Sequence, residues 1–312
     1  MKKNVLVTAI GGDVAQGIAT ILRKSFPDWC ITGMDMHSRH AGSMFVDQFY
    51  EVPRASDPNY ENVLKTIVNR DAIDLVIPMS EPELLLFGLR GYEKIGKADL
   101  LMANQLAIEI GADKLKTAQF LQSIGIPAPW TELAENFLSH KHLPCIFKPR
   151  RGAGSKAVFR CETAGEVLFY RDLHKDGIVQ EQLLPADQEV TCGVFRSSRG
   201  QIGVVQMLRT LVKGTTGWAQ VIEDADVRHQ CSRLAEALDL RGSINVQLRI
   251  TDIGPRIFEI NPRFSSTVLM RHLMGFQDLI WSIRDLMREE IEIVYPKVGT
   301  TAVRSQRVDL LE

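Results

Sequence analysis

The sequence predicts an α/β domain followed by an α+β region, and three observations support this fold class. Over roughly the first hundred residues, short apolar runs alternate with helical patterns, as in NVLVTA before AQGIATILRKSF and LKTIVNR before DLVIP. Such alternation predicts a parallel, doubly wound sheet. Near residue 111 the character changes, because the helical stretch DKLKTAQFLQSIG is followed by two prolines that end it. From Asp187 onward, strand patterns dominate.

These elements predict three domains, with boundaries at 1–111, 112–185 and 186–312. The middle region combines the strand patterns PCIFKP, AVFRC and GIVQEQL with the helical pattern TAGEVLFYRDLHK, which is typical of a compact α+β lid. The last region contains the strand patterns QEVTCGVFR, QIGVVQMLRTLV, SINVQLRI and RIFEINPR. Helices at about 224–239 and 268–287 are expected to cover this sheet.

Composition favours a globular protein without a dominant charge. The 312 residues are 45% apolar and 24% charged, with 37 Lys plus Arg against 38 Asp plus Glu. No net field favours nucleic acid or an acidic membrane, so any basic site must be local. The five cysteines form no C-x-x-C pair, which argues against a disulfide framework and a cysteine-rich zinc site. With no apolar stretch near the ~20 residues of a membrane span, we expect a cytoplasmic protein.

A glycine-rich basic loop follows the apolar run at 145–149 and resembles a phosphate-binding loop. It does not match a Walker A loop, because the spacing differs and the following residues, AVF, favour a strand rather than a helix. A strand, a basic loop and a second strand describe a hairpin flap that closes over a nucleotide. Lys148 would then direct its ammonium group at the phosphates. A solvated hairpin tip is the alternative that the loop alone leaves open.

The strand pattern RIFEINPR provides a candidate metal site. Side chains alternate along a strand, so Glu259 and Asn261 share one face, about 7 Å apart, whereas Phe258 and Ile260 are expected to face the core. A carboxylate and an amide oxygen on one face are hard oxygen ligands suited to Mg²⁺, which is held together with phosphate oxygens. Arg263 follows at the strand end, where it is able to bind a phosphate or a carboxylate.

Together these residues resemble the ATP-grasp family over nearly the whole chain. The matching features occur in the family's order: an α/β domain, Asp113-Lys114, Lys148 with its flap, the segment QEQL at 180–183, Glu189, and NVQ followed by EINPR. The resemblance implies a Rossmann-like pre-ATP-grasp domain followed by a two-lobed ATP-grasp fold. Gln247, where many members carry Asp, is similar to the carbamoyl-phosphate synthetase large subunit and its relatives. The single flap and single metal constellation favour a stand-alone ligase.

The resemblance also implies a role for each matching residue. The ATP-binding set comprises Lys114, Lys148, the flap residues Gly152, Ala153, Gly154, Ser155 and Lys156, the hinge residues Glu181, Gln182 and Leu183, and Glu189, which would accept from the ribose. Gln247, Glu259 and Asn261 would hold Mg²⁺, with Mn²⁺ as an alternative. The catalytic candidates are Arg263, for the transferred phosphoryl group or the acceptor, and Arg209 and Lys213, for the γ-phosphate.

The function that the resemblance implies is ADP-forming ligation. Such enzymes phosphorylate a small carboxylate to an acyl phosphate, which an amine or another nucleophile then attacks. The acceptor is expected between Gly11-Gly12 and Arg263, with Ser266, Thr267 and Arg271 along its pocket. We expect small-molecule carboxylate and amine partners, and a homodimer is compatible with them.

Two alternatives remain at this point. VLVTAIGGDVAQG with Asp35 loosely resembles the dinucleotide fingerprint of an NAD(P)-dependent oxidoreductase, but its glycines do not fit G-x-G-x-x-G. The oxidoreductase hypothesis also gives no role to the polar residues of the EINPR strand. A non-catalytic nucleotide-binding regulator is the second alternative.

If Gln247 and Glu259 both bind magnesium, this fixes how the two strands that carry them pair with each other. The two must then lie on one face, nearly opposite each other in a hairpin. Direct pairing predicts Thr251 opposite Pro255 and the three-residue loop 252–254, or an equivalent bulge. A two-residue turn, Ile253-Gly254, would instead pair Gln247 with Ile260 and bury its amide, at a cost of about 1–3 kcal/mol.

Overall fold

The computed structural model describes residues 2–137, 142–152 and 157–305. Within these ranges, the strands form three sheets, and the helices pack on their faces. None of the helices in the described ranges combines the length and apolar character that a membrane span requires.

The first sheet has the order β3-β2-β1-β4-β6-β5 and is parallel except at its edge, where β5 runs antiparallel to β6. Its buried strands, such as VLVT in β1, are apolar on both faces because helices cover both sides. This sheet confirms the doubly wound fold. Its elements are β1 Asn4–Thr8, α1 Asp13–Ser25, β2 Cys30–Asp35, β3 Gln48–Glu51, α2 Tyr60–Arg70, β4 Leu75–Ile77, α3 Glu81–Gly88, β5 Lys94–Ile95 and β6 Ala98–Leu100.

The second sheet is antiparallel, with the order β7-β10-β8-β9, and carries one helix. Phe147, Cys145 and Val167 form its small core. The flap predicted from sequence lies between β8 and β9, and residues 153–156 of it lie outside the described residues. The elements here are α4 Gln105–Gly111, α5 Lys114–Ser123, β7 Thr131–Leu133, β8 Cys145–Pro149, β9 Phe159–Cys161, α6 Ala164–Leu173 and β10 Gly177–Glu181.

The third sheet is antiparallel, with the order β15-β14-β11-β12-β13-β16. The predicted helix at 268–287 is two helices, because Gly275 adopts φ 108° and ends the first of them. The elements are β11 Glu189–Arg196, β12 Ile202–Val212, β13 Thr215–Ile222, α7 Ala225–Ala237, β14 Gly242–Thr251, β15 Gly254–Asn261, α8 Val268–Leu273, α9 Asp278–Leu286 and β16 Thr301–Val303.

Two helix pairs join the third sheet to the rest of the chain. Helices α4 and α5 pack on β15, and their residues Ile108 and Leu121 share a core with β11 and β14. On the other side, Val268 and Ile280 of α8 and α9 share the core of the first sheet. The start of α1 and the ends of β8 and β15 border one cavity. The strands of the three sheets fall within the three predicted domain ranges, and the domain boundaries themselves stay a proposal.

Candidate active site

A cavity of about 530 Å³ lies between the second and third sheets and the start of α1. It collects side chains from strands that are far apart in sequence, including β8, β10, β12 and β15. It is also bordered by the segment after β10, by the start of α1 and by the segment after β15. Its lining residues include Asp13, Lys148, Glu181, Leu183, Glu189, Arg209, Gln247, Arg249, Phe258, Glu259, Asn261, Arg263 and Ser266.

Lys148 is a buried lysine on the cavity wall, with 5% of the residue exposed. Burial lowers its pKa to about 8, although the neighbouring carboxylate of Glu259 acts in the opposite direction. Its ammonium group lies 5.5 Å from the centre of the Phe258 ring. Among the described residues, no carboxylate lies within ion-pair distance of this ammonium group. An anion that entered the cavity would therefore meet an uncompensated cation.

Glu259 and Asn261 lie on one face of β15, as predicted, and the Asn261 amide donates to Glu259 Oε1 over 3.1 Å. Gln247 pairs directly with Glu259 across the hairpin, which confirms the predicted pairing. All three side chains border the same cavity. Their oxygens form the hard donor set that Mg²⁺ prefers, so the residues present fit this ion.

The hairpin reaches this pairing by a bulge, and the predicted three-residue loop is wrong. Thr251 pairs with Gly254 around a two-residue turn, and the register shifts between Gln247 and Leu248 so that Phe258 has no cross-strand partner. The bulge also turns Phe258 out of the core and into the cavity wall, contrary to expectation. One extra residue in a strand reverses the face of those beyond it, which returns Gln247 to the side of Glu259.

Arg263 follows the strand end and is partly buried. Burial lowers its pKa, while the carboxylates of Glu81, Glu259 and Asp13 counteract this shift. Its guanidinium donates to the Phe264 carbonyl over 3.0 Å. No ion pair to Arg263 occurs in the part of the chain that the structure describes. With Lys148, it is the second cation at this cavity that has no ion-pair partner among the described residues, and it is partly buried.

Glu189 and Arg209 form an internal ion pair at the cavity wall. Glu189 Oε1 accepts from Arg209 Nη2 at 2.7 Å, and its Oε2 accepts from Arg249 Nη2 at 2.8 Å. The carboxylate proposed for the ribose is thus held between two arginines. Arg209, a γ-phosphate candidate, is already charge-paired, in contrast to Lys148 and Arg263.

Lys114 is the first residue of α5 and contacts the flap at Gly152. Its ammonium donates to the Gly152 carbonyl over 2.7 Å, and its backbone amide donates to Arg150. Asp113 caps α5 and accepts from the Arg150 side chain. Burial opposes ionisation of Asp113, but the hydrogen bonds from Arg150 and the Lys116 amide, together with the charges of Arg150 and Arg151, outweigh it, and the pKa of Asp113 lies below its ordinary value. The cluster fixes the base of the flap.

The hinge residues are Glu181, which ends β10, and Gln182 and Leu183, which follow it. The Glu181 carboxylate accepts from Arg256 at 3.1 Å, and its backbone amide donates to Trp130. Gln182 accepts from the Arg160 side chain at 3.0 Å. The Leu183 carbonyl accepts from Arg249 at 2.7 Å. Glu181 and Leu183 border the cavity, and Gln182 is outside its lining.

Three other candidates lie elsewhere than expected. Lys213 is exposed at the β12–β13 turn, with φ 51°, and is outside the cavity lining. Thr267 and Arg271, which we expected along the acceptor pocket, are fully buried. Arg271 donates to Asp278 over 2.7 and 2.9 Å and to Thr267 Oγ1 over 3.1 Å. It therefore connects the segment after β15 to the start of α9. Of the predicted acceptor residues in this segment, Ser266 borders the cavity.

The loop after β1 differs from a dinucleotide-binding loop in one respect. Asp35, the acid at the end of β2, accepts from the Gly11 amide at 2.9 Å and from the His37 amide at 3.3 Å. A Cβ atom on Gly11 would lie 2.5 Å from the His40 ring, so this glycine is required by close packing. Both oxygens of Asp35 serve the loop itself, and nothing here favours the oxidoreductase alternative.

Sequence reasoning missed Phe258, Arg249 and Asp13 as cavity residues. Phe258 was assigned to the core because strict alternation cannot anticipate a bulge. Arg249 lies on the same strand as Gln247, two residues further on, and that period of two was a usable signal. Asp13 reaches the cavity only because α1 packs beside α8, which no local pattern indicates.

Comparison with known families agrees with this geometry. The family model of the ATP-grasp domain matches residues 111–267, about half of the chain, and that of the PylC-like N-terminal domain matches residues 5–93. The chain therefore belongs to the ATP-grasp family. The matched range contains Lys114, Lys148, Glu259, Asn261 and Arg263.

Curated relatives are distant and longer than the shared region. A carbamoyl-phosphate synthase of Methanobrevibacter smithii is 29% identical over 132 residues, which cover 40% of this chain and 35% of that protein. A D-alanine–D-alanine ligase of Mycobacterium leprae is 24% identical over 233 residues, which cover 63% of this chain and 60% of the ligase. The chain thus spans about a third to three fifths of the length of these relatives.

Solved structures resemble the whole chain. N5-carboxyaminoimidazole ribonucleotide synthetase from Thermus thermophilus has a TM-score of 0.75 at 18% identity, covering 96% of this chain and 82% of that one. The N5-carboxyaminoimidazole synthetase from Staphylococcus aureus complexed with ADP has a TM-score of 0.75 at 15% identity, covering 96% of this chain and 80% of that one. At these identities the likeness shows the fold, including an α/β domain ahead of the ATP-grasp lobes.

Proposed function

We propose that this chain is an ATP-dependent, ADP-forming carboxylate–amine ligase. The observation that supports it most directly is that two cations, the buried Lys148 and the partly buried Arg263, border the same cavity as the oxygen cluster of Glu259, Asn261 and Gln247. Burying a cation without a carboxylate partner costs free energy, which an anionic ligand recovers when it binds. Two such cations beside metal-type oxygens suit the transfer of a phosphoryl group between two anions.

The nucleotide would occupy the end of the cavity bordered by β8 and β10. Lys148 and Lys114 would contact the phosphates, and backbone groups of Glu181 and Leu183 would meet the adenine edge. Glu189 would accept from the ribose hydroxyls while Arg209 and Arg249 hold its carboxylate in place. The remaining flap residues, 153–156, are proposed for the phosphates on the family resemblance.

Magnesium, or manganese in its place, would be held by Glu259, Asn261 and Gln247. When bound, the ion neutralises phosphate charge and orients the γ-phosphoryl group. Glu259 supplies the negative charge of this donor set, and the Asn261 amide fixes its orientation. These carboxylate and amide oxygens belong to residues on paired strands, so their positions are set by the sheet.

The acceptor carboxylate would lie between Lys148 and Arg263. Its oxygen attacks the γ-phosphorus, the bond to the β-phosphate oxygen breaks, and ADP leaves. The amine then attacks the acyl carbon, a C–N bond forms, and inorganic phosphate departs with the C–O bond electrons while the amine loses a proton. Arg263 stabilises charge on the acyl phosphate oxygens. Lys213 would need to approach from its exposed turn to assist.

Several broader features are proposed with this function. We infer small-molecule carboxylate and amine substrates, a cytoplasmic location and a homodimer, together with the division into 1–111, 112–185 and 186–312. A D-alanine–D-alanine ligase is among the relatives, which is consistent with a small carboxylate and an amine as substrates.

The deciding experiment measures ADP and phosphate release from Mg²⁺-ATP over a matrix of small carboxylates and amines. Release that requires both a carboxylate and an amine would support the ligase. Calorimetry with Mg²⁺-ADP tests the nucleotide site separately. Magnesium-dependent ADP binding without turnover on any pair would favour the regulator. Binding of NAD(P)H in place of ADP would contradict the proposal.

A further inference from the structure

Arg304, near the end of the described chain, binds two residues that border the cavity, Asp13 and Ser266. Its Nη1 lies 3.1 Å from Asp13 Oδ2, its Nε donates to the Thr216 carbonyl over 3.1 Å, and its Nη2 donates to the Ser266 carbonyl. These three acceptors belong to three separate segments: α1, β13 and the segment after β15. One guanidinium group therefore occupies a cradle of three oxygens.

Two of the three cradle residues border the cavity, whereas Arg304 does not. Asp13 and Ser266 border the cavity, together with Thr215 beside Thr216, whereas Arg304 is outside the lining. The backbone amide of Arg304 extends the edge of the third sheet by donating to Gly217 over 2.8 Å. The arginine is thus anchored by its backbone to β13, next to the edge strand β16.

The Asp13–Arg304 pair is exchangeable. The side chain of Asp13 is 42% exposed and that of Arg304 is 31% exposed, so water screens the pair. Solvent-screened pairs of this kind contribute little to stability. By contrast, the buried pair of Arg271 and Asp278 has exposures of 0% and 1% and is not exchangeable at comparable cost. An incoming cation with good hydrogen bonds is able to replace Arg304.

The charges around the acceptor end fit a zwitterion. Arg263, without a carboxylate partner, suits the carboxylate of the acceptor. Asp13 is close enough to Arg263 to influence its ionisation. An ammonium group has three donors and no acceptor, which suits a cradle of oxygens. A carboxylate at Arg263 and an ammonium at Asp13 are the two ends of an amino acid.

Building on the ligase function proposed above, we infer that the carboxylate substrate is an amino acid whose ammonium group displaces Arg304 from the cradle of Asp13, Thr216 and Ser266. Asp13 is then the residue that selects for the ammonium group, and Arg304 is an internal cation that competes for its position. The ammonium stays protonated and is not the attacking amine.

The first test uses the cradle alone and needs no turnover. Thermal unfolding of the full chain is measured with methylammonium or methylguanidinium chloride, against sodium chloride at equal ionic strength. Arg304→Ala and Arg304→Gln should gain stability from either cation, whereas the wild type and the double variant Asp13→Asn with Arg304→Ala should not. Arg228→Ala is the matched control, because Arg228 is 34% exposed, pairs with Glu223 at 2.6 Å and also donates to a backbone carbonyl. No cation-specific gain in the Arg304 variants would overturn the inference.

The second test measures ADP release with glycine and with L- and D-alanine, each beside acetate or propionate as the analogue without the amino group. Removing the competitor in Arg304→Ala should lower KM for the active amino acid by about two- to fivefold. Asp13→Asn should raise that KM about tenfold or more and leave the analogues unchanged. A rise in KM in Arg304→Ala, or activity on the analogues equal to that on the amino acids, would refute the inference even where ligation itself is established.

Discussion

The ends of β15 and β2 offer a comparison within one chain. Each strand carries an acidic residue at or near its end, Asp35 in β2 and Glu259 in β15, and each of these residues borders a cavity. At β2, Asp35 accepts from the amides of Gly11 and His37, so its charge serves its own loop. At β15, Glu259 contacts the side chain of Asn261, while Lys148 and Arg263 nearby have no carboxylate partner among the described residues.

The difference between paired and unpaired charges indicates which of the two strand ends gains free energy from binding a ligand. Charge that is satisfied within the protein stabilises the fold and gains little from a ligand. Charge that is buried without a partner raises the free energy of the empty protein, and a ligand of opposite charge recovers that cost. Both strand ends looked like nucleotide sites in sequence, and only the partners of their charges tell them apart.

The largest effect is expected at the β15 end. Glu259→Ala should reduce ADP release by about a hundredfold or more, because it removes the only charged oxygen of the proposed metal set among the described residues. The measurement is turnover over a magnesium titration. Glu223→Ala, an exposed carboxylate just beyond β13, serves as control and should retain full activity. Magnesium-dependent turnover in Glu259→Ala at the wild-type rate would place the metal elsewhere.

The next effect concerns the buried lysine. Lys148→Met should weaken Mg²⁺-ADP binding by about tenfold to a hundredfold, since a charge-assisted contact to phosphate is lost and the stem is replaced by an apolar chain of similar length. Calorimetry gives the affinity. Unfolding should not become easier in the variant, because an unpaired buried ammonium is removed. Unchanged ADP affinity would mean that the phosphates lie away from Lys148.

The pH dependence of nucleotide affinity is a second test of the proposed contact between Lys148 and phosphate. In the free protein Lys148 has a pKa of about 8, and bound phosphate should keep it protonated. Binding therefore takes up a proton above that pKa, and the affinity for Mg²⁺-ADP should fall by up to about tenfold from about pH 7 to about pH 9. In Lys148→Met this dependence should vanish. A steeper fall at low pH, or the same slope in the variant, would contradict the assignment.

A smaller effect is expected for Gln247. Its amide oxygen is neutral, so Gln247→Ala should raise the magnesium concentration needed for half-maximal activity by about two- to fivefold. Gln220→Ala is a suitable control, because Gln220 lies on β13 of the same sheet and outside the cavity lining. An unchanged magnesium requirement would leave Glu259 and Asn261 as the proposed ligands.

At the β2 end no effect on nucleotide affinity is expected. Gly11→Ala should lower the free energy of unfolding by about 1–3 kcal/mol, because the added methyl group would lie 2.5 Å from the His40 ring. Its Kd for Mg²⁺-ADP should match the wild type when measured well below the melting temperature. A large loss of ADP affinity with intact folding would remove the contrast between the two strand ends.

The sequence predicted the order and type of most elements. The apolar runs at residues 4–9 and 30–36 predicted the parallel sheet, because buried parallel strands are continuous apolar runs. The pairing of Gln247 with Glu259 was also predicted, but the bulge that produces it was predicted only as an alternative to a longer loop. The break at Gly275 was missed, because the apolar period continues across it.

The sequence by itself determined the residue types that the chemistry needs. The EINPR strand fixes a carboxylate and an amide on one face through the period of two, and Lys148 follows from its place beside the glycine loop. Which of these charges lack partners was decided only by the tertiary structure. Ion pairs such as Glu189 with Arg209, or Asp13 with Arg304, join residues 20 to 291 positions apart. The pKa of a buried group depends on such neighbours, and local sequence carries no record of them.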